Sequence, residues 1–299
     1  MKKETIKKLL LIAVALIVIG SLSLSISLAL NSWDYAKITS KNYKNDSIDI
    51  YEPFDKISID TDTSDIEFIR AQSKCTVDFY QLENAEYSTY ISNNTLYISA
   101  ADSKSIFDHI SFISSETVKI KIYLPESFYT SLQINDETGD IVIPNNFSFD
   151  SIDISTSTGD VSDNASAKTI RISNQTGDTS LNNISADHIT LSCSTGDTIL
   201  NDVTSEYINS SGSTGDLDLI NVNATKTIKA ERSTGDITLR NSDANELYLE
   251  TSTGSVSGSL LSGKTFVTSS STGNIDVPSS SGGKCEIKTS TGDITITIR

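Results

Sequence analysis

Seven aspartates follow a glycine at near-constant spacing: Asp140, Asp160, Asp178, Asp197, Asp216, Asp236 and Asp293. Carboxylates repeated in this way could hold a hard cation such as calcium, with Asp178, Asp197, Asp216 and Asp236 as the strongest ligand candidates. Like charges stacked at strand spacing repel, and a bound cation would relieve that. The repeat argues against a cation site. Calcium-binding β-rolls use a glycine-rich nonapeptide, whereas each unit here has one turn, and Ser255 and Asn274 interrupt the column. The expected role is that of turn-forming aspartates facing water.

Other chemistries find less support. A threonine precedes each of these glycines, but flat ice-binding arrays need T-x-T along a strand face, and these threonines sit on a corner. Glycoside hydrolysis needs a pair of carboxyls. Carboxylates are abundant, yet a site should break a repeat with a cluster of unlike residues. The only histidines are His109 and His188, neither near a cysteine or a distinctive serine motif. Cys75, Cys193 and Cys285 are far apart and lack any C-x-x-C spacing, so they are expected to be packing residues. Arg232 departs from an otherwise small or polar column and could pair with a neighbouring aspartate. No catalytic residue and no cofactor is assigned, and the protein is not expected to be an enzyme.

The elements that position these residues follow from self-similarity. The Thr-Gly pair begins at Thr138, Thr158, Thr176, Thr195, Thr214, Thr234, Thr253, Thr272 and Thr291, with spacings of 20, 18, 19, 19, 20, 19, 19 and 19. Six residues before each Thr stand Leu132, Ile152, Ile170, Ile189, Ile208, Ile228, Leu247, Phe266 and Cys285. Four before stand Ile134, Ile154, Ile172, Leu191, Ser210, Ala230, Leu249, Thr268 and Ile287. Three after begin Ile141, Val161 and Thr179, and five after begin Ile143, Asp163 and Leu181. Apolar residues alternating with polar ones on both sides of a turn mean two short strands per unit. Gly139, Gly159, Gly177, Gly196, Gly215, Gly235, Gly254, Gly273 and Gly292 are structural turn residues, assigned the positive φ of a type II turn. One unit cannot bury its stripe alone, but stacked units can, at ~4.8 Å per rung. The fold expected is all-β: a parallel β-solenoid (β-helix) with coils of ~19 residues, right-handed by the chirality of parallel crossovers.

Lys2, Lys3, Lys7 and Lys8 precede Leu9–Leu30, a run of 22 uncharged residues long enough to cross a bilayer. The basic end is expected in the cytoplasm and the body outside, with Trp33 and Tyr35 at the far interface. Ser27-Leu28-Ala29 would suit cleavage of a signal peptide, but the apolar run is longer than a usual signal core. The domain reading is a basic tail at 1–8, a transmembrane helix at 9–30, a stalk at 31–56, degenerate coils and a cap at 57–131, and the regular solenoid at 132–299. In the degenerate part, "ISIDTDTSDIEFI" fits the template with Ser64 for Gly. Thr63 lies 75 residues before Thr138, close to four periods, which suggests further coils at "CTVDFY", "TLYISA" and "VKIKIYLP". "YISNNTLYIS" reads as a hairpin turning at Asn93-Asn94. The final "DITITIR" is expected to leave an open strand edge.

The formal net charge is −16, and with the first eight residues set aside it is 19 − 38 = −19. A body this acidic repels phosphates, so nucleic acid is excluded as a partner.

Repeated S-T-G-D-I strands behind a single membrane helix resemble the bacterial "putative adhesin" family of β-strand-repeat proteins, from about Lys56 to Arg299. The resemblance implies a cell-envelope protein of the bacterial surface with no established catalytic residues. The expected function is a non-catalytic, membrane-anchored, extracytoplasmic module for surface interaction, an adhesin or a protein associated with envelope stress. Its partners would be the membrane through residues 9–30 and an envelope protein or glycan. A carbohydrate-binding or carbohydrate-processing β-helix is the alternative.

Overall fold

A computed structural model describes residues 3–30, 43–83, 85–101 and 117–299. Lys2, Trp33, Tyr35 and His109 lie outside the described residues. Two compact units are present: one holds the N-terminal helix, and the other comprises Lys44–Ser103 and Val118–Arg299.

The helix, α1, spans Lys3–Leu30. Side chains are described for 12–23 and for four further positions. The described residues hold no helix long and apolar enough to cross a membrane.

The second unit is a parallel β-solenoid. Its long strands form one sheet: β8 (Phe128–Thr138), β10 (Ser148–Thr158), β12 (Ser166–Thr176), β14 (His188–Thr195), β16 (Thr204–Thr214) and β18 (Asn223–Thr234). The short strands after each corner form the other: β9 (Ile141–Ile143), β11 (Val161–Asp163), β13 (Thr179–Asn182), β15 (Thr198–Asn201) and β17 (Leu217–Ile220). β19 (Ile237–Thr253) runs through the return and serves both sheets. Equivalent residues stack in register, so Leu132, Ile152, Ile170, Ile189, Ile208, Ile228 and Leu247 form one buried ladder. Parallel pairing places like on like, which is why the columns of the sequence become ladders in the core.

The polar return carries a second corner. Asn183, Asp202, Asn221 and Asn241 adopt left-handed φ of 52 to 56°, which Asn and Asp tolerate best among non-glycine residues. Asn221 donates to Asp202 Oδ1 at 3.0 Å and Asn241 to Asn221 Oδ1 at 3.3 Å. Just beyond these, Phe147, Ala165, Ile184, Val203 and Val222 close the third side of the core.

Rung order departs from chain order at both ends. Thr63 pairs directly with Thr138, because β2 (Lys56–Thr63) and β3 (Asp65–Ala71) lie against β8 and β9. The 75-residue interval is therefore a single rung step, not four periods. The intervening chain goes outward. β6 (Thr95–Ala101) and β7 (Lys119–Pro125) form the next rung beyond β2 and β3, and β4 (Cys75–Leu82) and β5 (Glu86–Ser92) pair antiparallel with β7 and β6. "TLYISA" and "VKIKIYLP" are a coil, whereas "CTVDFY" is an antiparallel strand. β1 (Tyr43–Ile50), read from sequence as stalk, pairs with β4. The Asn93-Asn94 hairpin is present, with φ of 50° and 59° at its turn.

At the C-terminal end, β23 (Gly283–Thr291) pairs with β19, and β24 (Ile294–Ile298) with β20 (Val256–Leu260). The earlier strands β21 (Lys264–Thr272) and β22 (Ile275–Asp276) lie outside them. "DITITIR" is thus an interior rung rather than an open edge. The corner glycines also differ from expectation: their φ values run from 125 to 153°, beyond the type II range. The three cysteines are buried and free, and burial pushes the Cys75 and Cys285 thiols up to about 12.

Candidate functional site

The aspartate column is part of the scaffold. Asp140 Oδ1 accepts the backbone N–H of Asp160 at 2.8 Å, and the same bond recurs from Asp160 to Asp178, Asp197, Asp216, Asp236 and Ser255. Each carboxylate therefore ties its corner to the next rung and spends one oxygen on it. Among the described residues no group of three His, Cys, Asp or Glu side chains is arranged to hold a metal.

Arg232 is explained by its neighbours. In the column two residues before each Thr, several side chains donate to glycine carbonyls of the corner. Asn174 bonds Gly159 and Gly177, Cys193 bonds Gly177 and Gly196, Thr251 bonds Gly235, and Thr289 bonds Gly254. Gly212 has no side chain with which to do so, and Arg232 of the next rung fills its place. A Cβ on Gly212 would lie 2.9 Å from Arg232 Cδ. Arg232 is 4% exposed; its guanidinium donates to Ser210 Oγ at 3.1 Å and to the Glu231 carbonyl at 2.9 Å, and among the described residues it makes no ion pair with an aspartate. Burial lowers its pKa. Ser210, Gly212, Ala230 and Arg232 thus depart from their columns together, as one packing solution. A serine-rich cleft lies over it, rimmed by Glu231 and Glu250.

His188 stands outside the core, its ring stacked on Tyr207 at 5.0 Å between centroids.

A different cleft, of about 420 Å³, brings unlike residues together near the N-terminal end of the solenoid. It is lined by Asn45, Asp46 and Ser47 of β1, Asp78 and Tyr80 of β4, and Lys119, Lys121 and Tyr123 of β7. Antiparallel pairing sets Tyr80 opposite Lys119, Asp78 opposite Lys121 and Thr76 opposite Tyr123. Two tyrosines therefore flank a floor of alternating charge. Asp78 accepts from Ser47 Oγ at 2.5 Å, Lys119 approaches Asp65 at 3.6 Å, and Lys121 approaches Glu67 at 3.4 Å. Asp46 accepts from Tyr87 Oη at 2.7 Å and pairs with Lys44 at 3.1 Å. The Tyr87 hydrogen bond and then Lys44 hold its carboxyl below the usual range. It is an anion at neutral pH, not an acid.

The two carboxyls that burial raises to about 7, Asp136 and Asp163, are core residues and do not line this cleft. The cleft's signal in the sequence was the outward-facing set Thr76, Asp78, Tyr80 with Lys119, Lys121, Tyr123.

The model of the Toastrack DUF4097 family matches residues 54–297. A "putative adhesin" from Bacteroides fragilis is 18% identical with a TM-score of 0.51, covering 87% of this chain and 99% of that one. A "putative lipid binding protein" from Parabacteroides distasonis is 15% identical with a TM-score of 0.51, covering 86% and 97%. A "putative adhesin" from the latter species is 11% identical with a TM-score of 0.50, covering 86% and 98%. At these identities the likeness is one of fold. No curated protein matches the chain.

Proposed function

The chain belongs to the Toastrack DUF4097 family, and from that premise we propose that it is a non-catalytic, membrane-tethered interaction module of the cell envelope. α1 is the tether. Ile12, Leu16, Ile17, Val18, Ile19, Leu22 and Ile26 are all exposed, and consecutive residues cover every side of a helix, which suits lipid rather than a one-sided core contact. The described side chains alone form no span long and apolar enough for a membrane, so the tether reading rests on the sequence, in which Leu9–Leu30 is an uncharged run of 22 residues, ~33 Å as a helix. The lysines before it retain that end inside and place the solenoid outside.

The recognition surface in this reading is the cleft between β1, β4 and β7. Its pairing state carries the proposal: Asp46, Asp78, Lys119 and Lys121 each already have a partner. A charged ligand would have to break those pairs. A neutral, hydroxyl-rich one would use the tyrosine faces and exchange hydrogen bonds with the rim, so an envelope glycan is the ligand class that fits. Proteins of the same fold named as adhesins agree with a surface role.

The full chain in detergent is expected to be retained on insoluble envelope polysaccharide. Tyr80→Ser with Tyr123→Ser should weaken retention by about tenfold or more, the usual effect of removing central aromatic anchors. Equal retention of both proteins sinks the glycan reading.

A further inference from the structure

The two ends of the solenoid are finished differently. At the N-terminal end the outermost strands are β1 and β5. Ile48, Ile50, Tyr87 and Ile91 from these strands pack against the core and close it. β1 also carries Lys44, Asp46 and Asp49, charges of the kind that discourage a further strand from adding to an edge.

At the C-terminal end β22 carries the exposed Asp276, but β21 has neither device. Among the described residues β21 pairs as a strand only with β23, and β22 only with β24, and the Ser280 hydroxyl bonds the Lys264 N–H and carbonyl where β21 begins. β21 reads KTFVTSSST, without proline. Its one charged residue, Lys264, is buried and paired with Asp243 at 2.6 Å. A nine-residue edge therefore presents its free backbone with no exposed charge, on a chain of net −16. The core is open there as well. Ile275 is 44% exposed, whereas its column mates Ile141, Leu217, Ile237 and Ile294 are at 0%. On the outward face Val267 is 51% exposed, and Leu261, before β21, is 50% exposed.

We propose that this tip docks a second copy of the chain, β21 pairing antiparallel with β21 of the other copy about a two-fold axis. Such pairing is self-complementary, since each strand supplies the same donors, acceptors and small side chains. It covers Phe266, Ile275 and Val277 at the open end of each core. β21 carries no exposed charge, so two acidic molecules meet with least repulsion along this strand. Head-to-tail stacking would need the other end of the rod, which its own antiparallel strands occupy. The assembly therefore stops at two and does not grow into fibres.

Sedimentation equilibrium of the full chain in detergent tests this. A reversible monomer–dimer equilibrium is expected. Val267→Lys and Ser269→Glu, made singly, should each weaken it by about tenfold or more, because like charges meet near the axis. Both variants should fold, since Val267 neighbours Glu286 and Ser269 neighbours Lys288 on β23. Tyr90→Ser, at the opposite end, should leave the equilibrium unchanged. A chain monomeric at all concentrations, a mass that grows without limit, or a dimer indifferent to both tip variants would overturn the proposal.

Discussion

Gly235→Ala is expected to destabilise the solenoid by more than about 4 kcal/mol, the range in which a single change is diagnostic of one named mechanism. Two observations set that size. Gly235 has a φ of 141°, a region that side chains other than hydrogen rarely enter. A Cβ there would lie 2.1 Å from the Gly215 carbonyl oxygen and 2.6 Å from its carbon. Both are backbone atoms of the rung below, held by the register of β16 on β18 and by the bond from the Gly215 N–H to the Thr234 carbonyl at 3.0 Å. No rotamer relieves the contact. At an ordinary site the same substitution stabilises by about 0.4–1 kcal/mol through the unfolded chain, so the sign itself is informative. Rungs contact only their neighbours, so the damage should divide the array. Hydrogen exchange should show protection lost across β18 and β19 and retained in β8 to β13. An unchanged melting temperature would mean that the corner is not stacked as described.

The second large effect has the opposite sign. Asp163→Leu is expected to stabilise the protein at pH 8 by roughly 2–4 kcal/mol. Asp163 occupies an inward position between Ile143 and Leu181 on the flanking rungs, with 0% exposure. Oδ1 accepts the Ala165 N–H at 2.9 Å, and Oδ2 has no partner. Burial, opposed by that one hydrogen bond, raises the carboxyl to about 7, against ~3.9 in the unfolded chain. A raised folded-state pKa means that the native protein binds the proton more tightly. The stability it contributes is complete below about pH 4 and is lost as pH rises through about 7. Each pKa unit is worth ~1.4 kcal/mol, so about three units give ~4 kcal/mol as an upper bound. Wild type should therefore be more stable at pH 5 than at pH 8, and Asp163→Leu should lessen that slope. Asp136, also raised to about 7 by burial against a Thr61 hydrogen bond, keeps part of it. Denaturant titrations at the two pH values measure both effects. A variant less stable than wild type at pH 8 would show that Asp163 has a partner that compensates its charge.

The cross-section of a rung was legible in the sequence; the order of the rungs was not. Leu132, Ile134, Ile141 and Ile143 declare their inward positions by local alternation, and every later coil repeats the statement. Period alone, however, does not say which rung lies on which. Ile57 and Ile59 match the template equally well whether β2 stacks on β8 or on a degenerate coil, and only long-range pairing decides. The same holds for "DITITIR", whose alternation fits an edge and an interior rung alike. The corner glycines announced a positive φ without its value. The cleft was hidden for a related reason. Tyr80 and Tyr123 lie 43 residues apart in sequence, and they flank one surface only because β4 folds back antiparallel onto β7. Arg232 looked anomalous because its cause, the missing side chain of Gly212, lies one rung away.

Both the tether and the recognition surface depend on the solenoid standing outside the membrane, with α1 crossing it from a cytoplasmic basic end. Fusion after Arg299 of a reporter that is active only beyond the cytoplasm tests this most directly. The fusion is expected to be active and to sediment with membranes, and replacing Leu9–Leu30 by a polar segment should abolish both. A fusion active only in the cytoplasm, or one released from membranes in the intact chain, would contradict the account.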